Sequence, residues 1–219
     1  MDLYFIRHGQ STGNRDRRVQ SATTPLTERG QAQAEQTGRW LATYFATQGR
    51  APAALYSSDL QRAWETAQRI GAHLGLTPQP EPGVREKHGG EAEGYLVAEM
   101  AERYPELLAG WGDYTNMDWG WPGGETRRVM QERANAALDR ITARHAPDDA
   151  LLIVTHGGPL WAYLNSRVLG TPPDLTETSA HLANCSITHV HLPVGADDAP
   201  GAACLLTLNE VGHLADAEA

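Results

Sequence analysis

The chain has 219 residues, with 18 Lys or Arg against 27 Asp or Glu, a formal net charge of −9 and 41% hydrophobic residues. That length suits one substantial domain or at most two small ones, and the acidity argues against a nucleic-acid partner, whose phosphates require a basic face. No stretch approaches eighteen uninterrupted apolar residues, so no membrane span or membrane partner is expected; Met1 and Asp2 run directly into a strand-like segment without the marks of a signal peptide, which makes the cytoplasm the default address.

Residues 3–7 read as a short buried strand. "PLTERGQAQAEQTGRWLATYF" follows with helical spacing, Thr27 as candidate N-cap and Ala34, Leu41 and Phe45 near one face. "ALYSSD" is a second short strand. The helix after it, "LQRAWETAQRIGAHLG", puts Leu60, Ala63, Trp64, Ala67, Ile70 and Leu74 on one stripe, with Ser58 or Asp59 as cap and Gly75 as stop. Pro78, Pro80 and Pro82 stiffen the approach to "GVREKHGGEAEG", a strand end opening into a loop. "LVAEMAERYPELLAGW" reads as helix broken near Pro105, and "GDYTNMDWGWPGGE" as a turn-rich, aromatic surface excursion. Then come a helix, "TRRVMQERANAALDRITARH", the clearest buried strand in the chain, "ALLIVTHGG", and another helix, "PLWAYLNSRVLG". Shorter strands close the chain, two of them separated by "PVGADDAPGA" as a hairpin-type connection. No repeat, low-complexity tract or linker intervenes. The alternation predicts one α/β domain over residues 1–219 with a largely parallel sheet and a cap-like excursion around residues 88–125.

Cys185 and Cys204 are the only thiols; they offer neither metal-ligand spacing nor a disulfide framework, and are expected in or near strands. Lys87 is the only lysine. That excludes a Gly-Lys-Ser/Thr phosphate loop and leaves arginine, suited to bidentate phosphate recognition, to meet an anion.

Two strands end alike. "YFIRHG" and "LIVTHGG" each place a histidine, His8 or His156, directly after a buried strand, with Gly9 or Gly157 next so that backbone can approach a ligand closely. In open α/β sheets ligands bind beyond the carboxyl ends of strands. A lone histidine there would read as a structural residue; a matched pair points to a site. Arg7 at a strand tip needs an anion or a carboxylate. Arg62, in the first turn of the helix after "LYSSD", reaches across the same crevice, although alone it would read as a solvated helix residue. Gln10, Ser11 and Asn14 add donors on the loop after His8. Two arginines, two histidines and small donors suit a tetrahedral dianion, with phosphate the obvious candidate. "HVH" at 189–191 is no metal site, since alternate strand residues face one way without needing a metal; no metal and no cofactor are expected.

These segments, "FIRHGQSTGN", "PLTERGQAQA", "YSSDLQRAWETA", "VREKHGGEAEG" and "LIVTHGG" in that order, with "PGGE" and "NCSIT" late in the chain, resemble the histidine phosphatase superfamily, also called phosphoglycerate mutase-like. The resemblance implies a three-layer α/β/α sandwich with a mainly parallel central sheet. It implies that His8 attacks phosphorus to form a phosphohistidine and that Arg7, Arg62 and His156 hold the phosphoryl oxygens, with Gln10, Ser11, Asn14 and Gly157 beside them. Glu86, which alone would read as a surface carboxylate between Arg85 and Lys87, becomes the general acid and then the base. Imidazole suits the part, having a lone pair at neutral pH and leaving readily from phosphorus.

The expected activity is metal-independent hydrolysis of a small phosphorylated metabolite. The alternative is a phosphoglycerate mutase with the same intermediate. A non-catalytic phosphate-binding module is a third reading, weakened because His8, Arg7, Arg62, Glu86 and His156 are all present. His88, two residues after Glu86, looks mutase-like. Against that, the mutases this chain resembles carry a longer central insertion with basic residues for the substrate's other charged end, whereas residues 88–125 hold only Arg103 as a basic side chain, beside Trp111, Trp119 and Trp121. Arg127 and Arg128 either replace the missing basic residues or face solvent on their helix. An aromatic, weakly basic cap suits a less charged or partly apolar phosphomonoester, with Gly89 and Ala92 leaving space; the same tryptophans could equally pack the cap on the body. An exposed "HVHL" strand or the C-terminal segment offers an edge for a homodimer.

Overall fold

A computed structural model of the chain describes residues 1–113, 115–170, 182–193 and 203–217. Six strands, β1 (Asp2–Arg7), β2 (Ala54–Ser57), β3 (Gln79–Pro80), β4 (Ala150–Thr155), β5 (Ile187–His191) and β6 (Cys204–Glu210), form one sheet in the order β3-β2-β4-β1-β5-β6. The first four in that order run parallel, while β5 and β6 are antiparallel additions. β4 is buried at every residue, as expected of a central strand covered on both faces.

The helices are α1 (Thr12–Asp16), α2 (Glu28–Thr47), α3 (Gln61–Leu74), α4 (Val97–Arg103), α5 (Pro105–Ala109), α6 (Arg127–Thr142) and α7 (Gly157–Tyr163). Strand alternation sorts the core into two layers. Leu3, Phe5, Leu151 and Ile153 pack with Leu138 and Ile141 of α6 and Leu160 of α7. Tyr4, Ile6, Leu152 and Val154 pack on the other face with Leu41 and Phe45 of α2 and Ala63, Ala67 and Ile70 of α3. The result is the three-layer α/β/α arrangement expected.

Several local expectations need correction. Ser58 and Asp59 do not cap α3. Leu60 is its N-cap, without a side-chain cap bond; the buried Ser58 hydroxyl accepts from Leu60 N at 3.3 Å, just ahead of the helix, and also faces His156. Gly75 does end the helix, in the left-handed conformation. α1 was not foreseen: five residues carry too little periodicity to read, and Ser11 with Asn14 caps it reciprocally. The "HVHL" strand is not an exposed edge. β5 lies between β1 and β6, with His189 and His191 both on the Asp2 carboxylate. The edge is β6, where Leu206 and Leu208 are exposed. Cys185 is buried just before β5 and Cys204 is exposed at the start of β6. Most of the proposed hairpin connection, residues 194–202, lies outside the described residues.

The segment read as a surface excursion has a core of its own. Trp119 and Trp121 are buried with Ala92 and Met100, and the three cap tryptophans Trp111, Trp119 and Trp121 make mutual ring contacts. Arg127 does not face solvent. It is buried and donates to the carbonyls of Trp111, Asp113 and Asn116, stapling the cap to α6. Arg128 is exposed and pairs with Asp118. No helix of the described residues is long and apolar enough to cross a membrane.

Leu152 sits fully buried at the centre of β4. Leu152→Ala is expected to lower the unfolding free energy by about 2–5 kcal/mol through lost transfer and a residual cavity, read by chemical denaturation; a loss below about 1 kcal/mol would contradict the packing described.

Candidate active site

β1 and β4 pair in parallel with Arg7 opposite Thr155, so His8 and His156 leave adjacent strands at the same level. The His8 amide extends the ladder by one bond, to Thr155 O at 2.9 Å. Gly9 then lets the loop pass against α2, where a Cβ would fall 2.4 Å from Gly30 O. The His8 ring is 3% exposed and its Nδ1 lies 2.7 Å from Gly9 O. A carbonyl only accepts, so Nδ1 carries the proton and Nε2 of the neutral ring keeps its lone pair. Burial first, then Arg62 and Arg7, holds His8 well below the usual histidine range, with the Gly9 carbonyl opposing.

His156 is fully buried; its Nε2 lies 2.8 Å from Ser58 Oγ, and the two imidazole centroids are 5.0 Å apart. Burial, then Arg62, His8 and Arg7, keeps it neutral as well. Arg62 is 1% exposed, donates from Nη1 to Ser21 O at 3.0 Å, and is lowered by burial to about 10. Arg7 donates to Leu182 O and is also lowered by burial, against the opposing charge of Glu86. Neither arginine forms an ion pair among the described residues. Arg7 Nε, Arg62 Nε and His156 Nδ1 are buried and make no hydrogen bond among the described residues. Burying a polar group unbonded costs about 1–3 kcal/mol; Arg7 and Arg62 share the cavity lining with His8, and the His156 ring lies against the His8 ring, so these nitrogens mark a cradle suited to oxygen acceptors.

Glu86 enters from the loop after a 3-10 turn, Pro82–Val84. Its Oε2 accepts from Gly158 N at 3.1 Å and its Oε1 from Lys87 N at 2.9 Å. Arg133, which sequence reading passed over as one more helix arginine, holds this loop: it donates to the carbonyls of Gly83, Arg85 and Glu86 and forms a bidentate pair with Glu125. Ser58 was also missed as a site residue, its place inside the "YSSD" motif being the available signal.

Arg7, His8, Arg62 and Glu86 line a cavity of about 280 Å³ whose far wall includes Lys87 and Trp119. The Lys87 ammonium lies 3.8 Å from the Trp119 ring centroid, and the Arg127 guanidinium 4.6 Å from the same ring. The cap side is therefore not weakly basic, because these cations come from positions just outside residues 88–125. Gly89 and Ala92 leave no spare room: a Cβ on Gly89 would come 2.8 Å from Val19 Cγ1, and Ala92 is buried among the cap residues. His88 is exposed, 3.5 Å from Glu93, and borders an adjoining hollow that also touches Arg62 and Glu86.

Gln10, Ser11 and Asn14 do not line the cavity; their side chains hold the loop instead. Gln10 accepts from Thr27 Oγ1, while Ser11 and Asn14 cap α1. Gly157 opens α7 beside Arg7, where a Cβ would lie 3.9 Å from Nε. Among the described residues no three His, Cys, Asp or Glu side chains gather as metal ligands.

The chain matches the model of the histidine phosphatase superfamily (branch 1) over residues 3–197 and belongs to that family. It is 33% identical over 198 residues to the metal-independent phosphoserine phosphatase of Arabidopsis thaliana, covering 87% of this chain and 76% of that one. It is 32% identical over 220 residues to the "probable phosphoglycerate mutase GpmB" of Citrobacter koseri, covering 98% and 95%. The solved structure of mycobacterial glucosyl-3-phosphoglycerate phosphatase in complex with VO3 superposes with a TM-score of 0.84 at 27% identity, covering 96% and 99%.

Both site histidines take up a proton less readily folded than unfolded. Their contribution to stability is complete above the unfolded value near 6.5 and is lost as pH falls toward the depressed folded values, by up to about 1.4 kcal/mol per pH unit for each group. Denaturation between pH 8 and 5 is expected to show that decline, with a shallower slope in His156→Asn; an unchanged slope would mean that His156 is not held neutral.

Proposed function

We propose that this histidine phosphatase is a metal-independent phosphomonoesterase that works through a phosphohistidine at His8 on a small phosphorylated metabolite. The observation that carries the reading is the set of buried nitrogens without a hydrogen bond among the described residues, Arg7 Nε, Arg62 Nε and His156 Nδ1, beside a histidine whose proton sits on Nδ1 and leaves Nε2 its lone pair. His8 Nε2 attacks phosphorus and the bond from phosphorus to the ester oxygen breaks. Glu86, in its acid form, gives its proton to the departing alkoxide. Water then attacks phosphorus and the P–N bond breaks. Glu86 takes the water's proton, inorganic phosphate leaves, and His8 is neutral again. The Nε–H groups of Arg7 and Arg62 stabilise the equatorial oxygens of both transition states. The Ser58 hydroxyl, donating to His156 Nε2, would leave the proton on Nδ1, making that ring a third donor.

Transfer to water is favoured over transfer within the substrate because His88, the mutase-like feature, is exposed and outside the walls around His8. The names of two relatives, phosphoserine phosphatase and glucosyl-3-phosphoglycerate phosphatase, support hydrolysis, and the VO3 bound by the latter shows a relative accepting an oxoanion.

Phosphate release in excess EDTA, from an alkyl and a p-nitrophenyl phosphate, tests this reading. His8→Ala is expected to abolish both activities. Glu86→Gln is expected to slow the alkyl ester about 10²–10⁴-fold, as for loss of a general acid, and the nitrophenyl ester less, since that leaving group needs no proton. Activity that survives in His8→Ala, or that EDTA removes, would overturn the mechanism.

A further inference from the structure

Glu86 has a task that depends on placement, yet it lies in neither helix nor strand. The main-chain carbonyls around it converge on one side chain instead. Arg133 of α6 commits all five of its N–H groups. Nη1 donates to Gly83 O at 2.7 Å and to Arg85 O at 2.9 Å, and Nη2 to Glu86 O at 3.1 Å. Nε and Nη2 hold the Glu125 carboxylate as a bidentate pair, at 2.8 and 2.7 Å. The Glu125 amide in turn donates to His88 O at 3.0 Å, so the loop is gripped on both sides of Glu86. Arg133 and Glu125 line the adjoining hollow and not the cavity around His8. The other end of Glu86 has no slack either: a Cβ on Gly158, whose amide it bonds, would fall 2.3 Å from Oε1.

We infer that Arg133, together with Glu125, is a positioning residue that sets where the Glu86 carboxyl group stands, and so controls proton delivery to the leaving group without touching the substrate. The planar fork is what the geometry demands: three carbonyls and a carboxylate are met at once, which the ammonium of a lysine cannot do. The use of Glu86 as the acid rests on the phosphatase reading; the grip on Glu86 rests on the Arg133 bonds alone. Glu125 ends the cap, two positions before the Arg127 that staples it to α6. Cap packing and proton delivery therefore share one anchor on that helix.

Selectivity between leaving groups is the signature, because a merely structural defect slows every ester alike. Arg133→Met is expected to lower kcat for an alkyl phosphate about 10–100-fold, as for a misplaced catalytic group, and for p-nitrophenyl phosphate only about 3-fold or less. In a Glu86→Gln background the same substitution should add little to the loss on the alkyl ester, since both changes act through one carboxyl group. Arg133→Lys should resemble Arg133→Met. Glu125→Gln, which keeps the arginine, should give a smaller loss of the same selectivity and carries the test if Arg133→Met does not fold. Equal losses on both esters, independent losses in the double variant, or wild-type activity in Arg133→Lys would overturn the inference. The Gly158 amide proton, bonded to the Glu86 carboxylate, reads the placement without any turnover: its resonance is expected to move upfield in Arg133→Met, and an unmoved resonance would overturn the inference. That shift, without hydrolysis of either ester by wild type, would sink the phosphatase reading and keep the positioning assignment. Leaving-group selectivity in Glu86→Gln but not in Arg133→Met or Glu125→Gln would do the reverse.

Discussion

In-register parallel pairing of β1 with β4 governs the top of the sheet. Because Arg7 stands opposite Thr155, both histidines leave the sheet at one height, and the bond from His8 N to Thr155 O fixes the level to within one residue. A slip of one residue would turn every side chain of β1 to the opposite face, sending Phe5 toward α2 and α3 and breaking up both apolar layers. The same alternation that builds the core therefore positions the chemistry. Arg62 is added by α3, Glu86 by the loop that Arg133 holds, and both converge on a point the sheet has already set.

Convergence has an electrostatic consequence. Arg7, Arg62, His8 and His156 are desolvated together without a carboxylate in ion-pair contact with either arginine among the described residues. The imidazoles respond by staying neutral, and the guanidinium groups by losing some of their affinity for the proton. Such a cluster destabilises the folded chain, and the cost is offset by the two sheet-covering layers rather than by local pairing. Elsewhere the opposite solution is used: at the other end of β1 the Asp2 carboxylate is ringed by Arg50, His189 and His191 and is held well below the usual carboxylate range despite the opposing effect of burial.

What could be read in advance follows from the length scale of each signal. The apolar run of β4, the stripe on α3 and the five motifs in order all carry their meaning within a dozen residues. α1 was too short to show a period. Local cap rules point to Ser58, and its hydroxyl does accept from Leu60 N, but α3 starts only after Leu60 and the same hydroxyl meets His156, a contact that local rules do not see. The two readings of the cap tryptophans, pocket wall or packing, stayed open for a similar reason: Met100, Ala92 and Arg127, which meet Trp119, lie in other segments. Lys87 and Trp119 are 32 positions apart, and no spacing rule links them. The five site residues singled out from sequence do converge, while Gln10, Ser11 and Asn14 shape the loop rather than the cavity wall.

The outer strand carries a different kind of consequence. Among the described strands β6 is the last of the sheet, with Leu206 and Leu208 exposed and no lysine or proline in the strand to blunt an edge. Such an edge is a template for aggregation, and the protection that remains is colloidal: mutual repulsion between molecules carrying a net charge of −9. Salt shortens the range of that repulsion to about 10 Å at 0.1 M and about 3 Å at 1 M while leaving the apolar edge intact. Raising the ionic strength therefore weakens the repulsion that keeps such edges of neighbouring molecules apart.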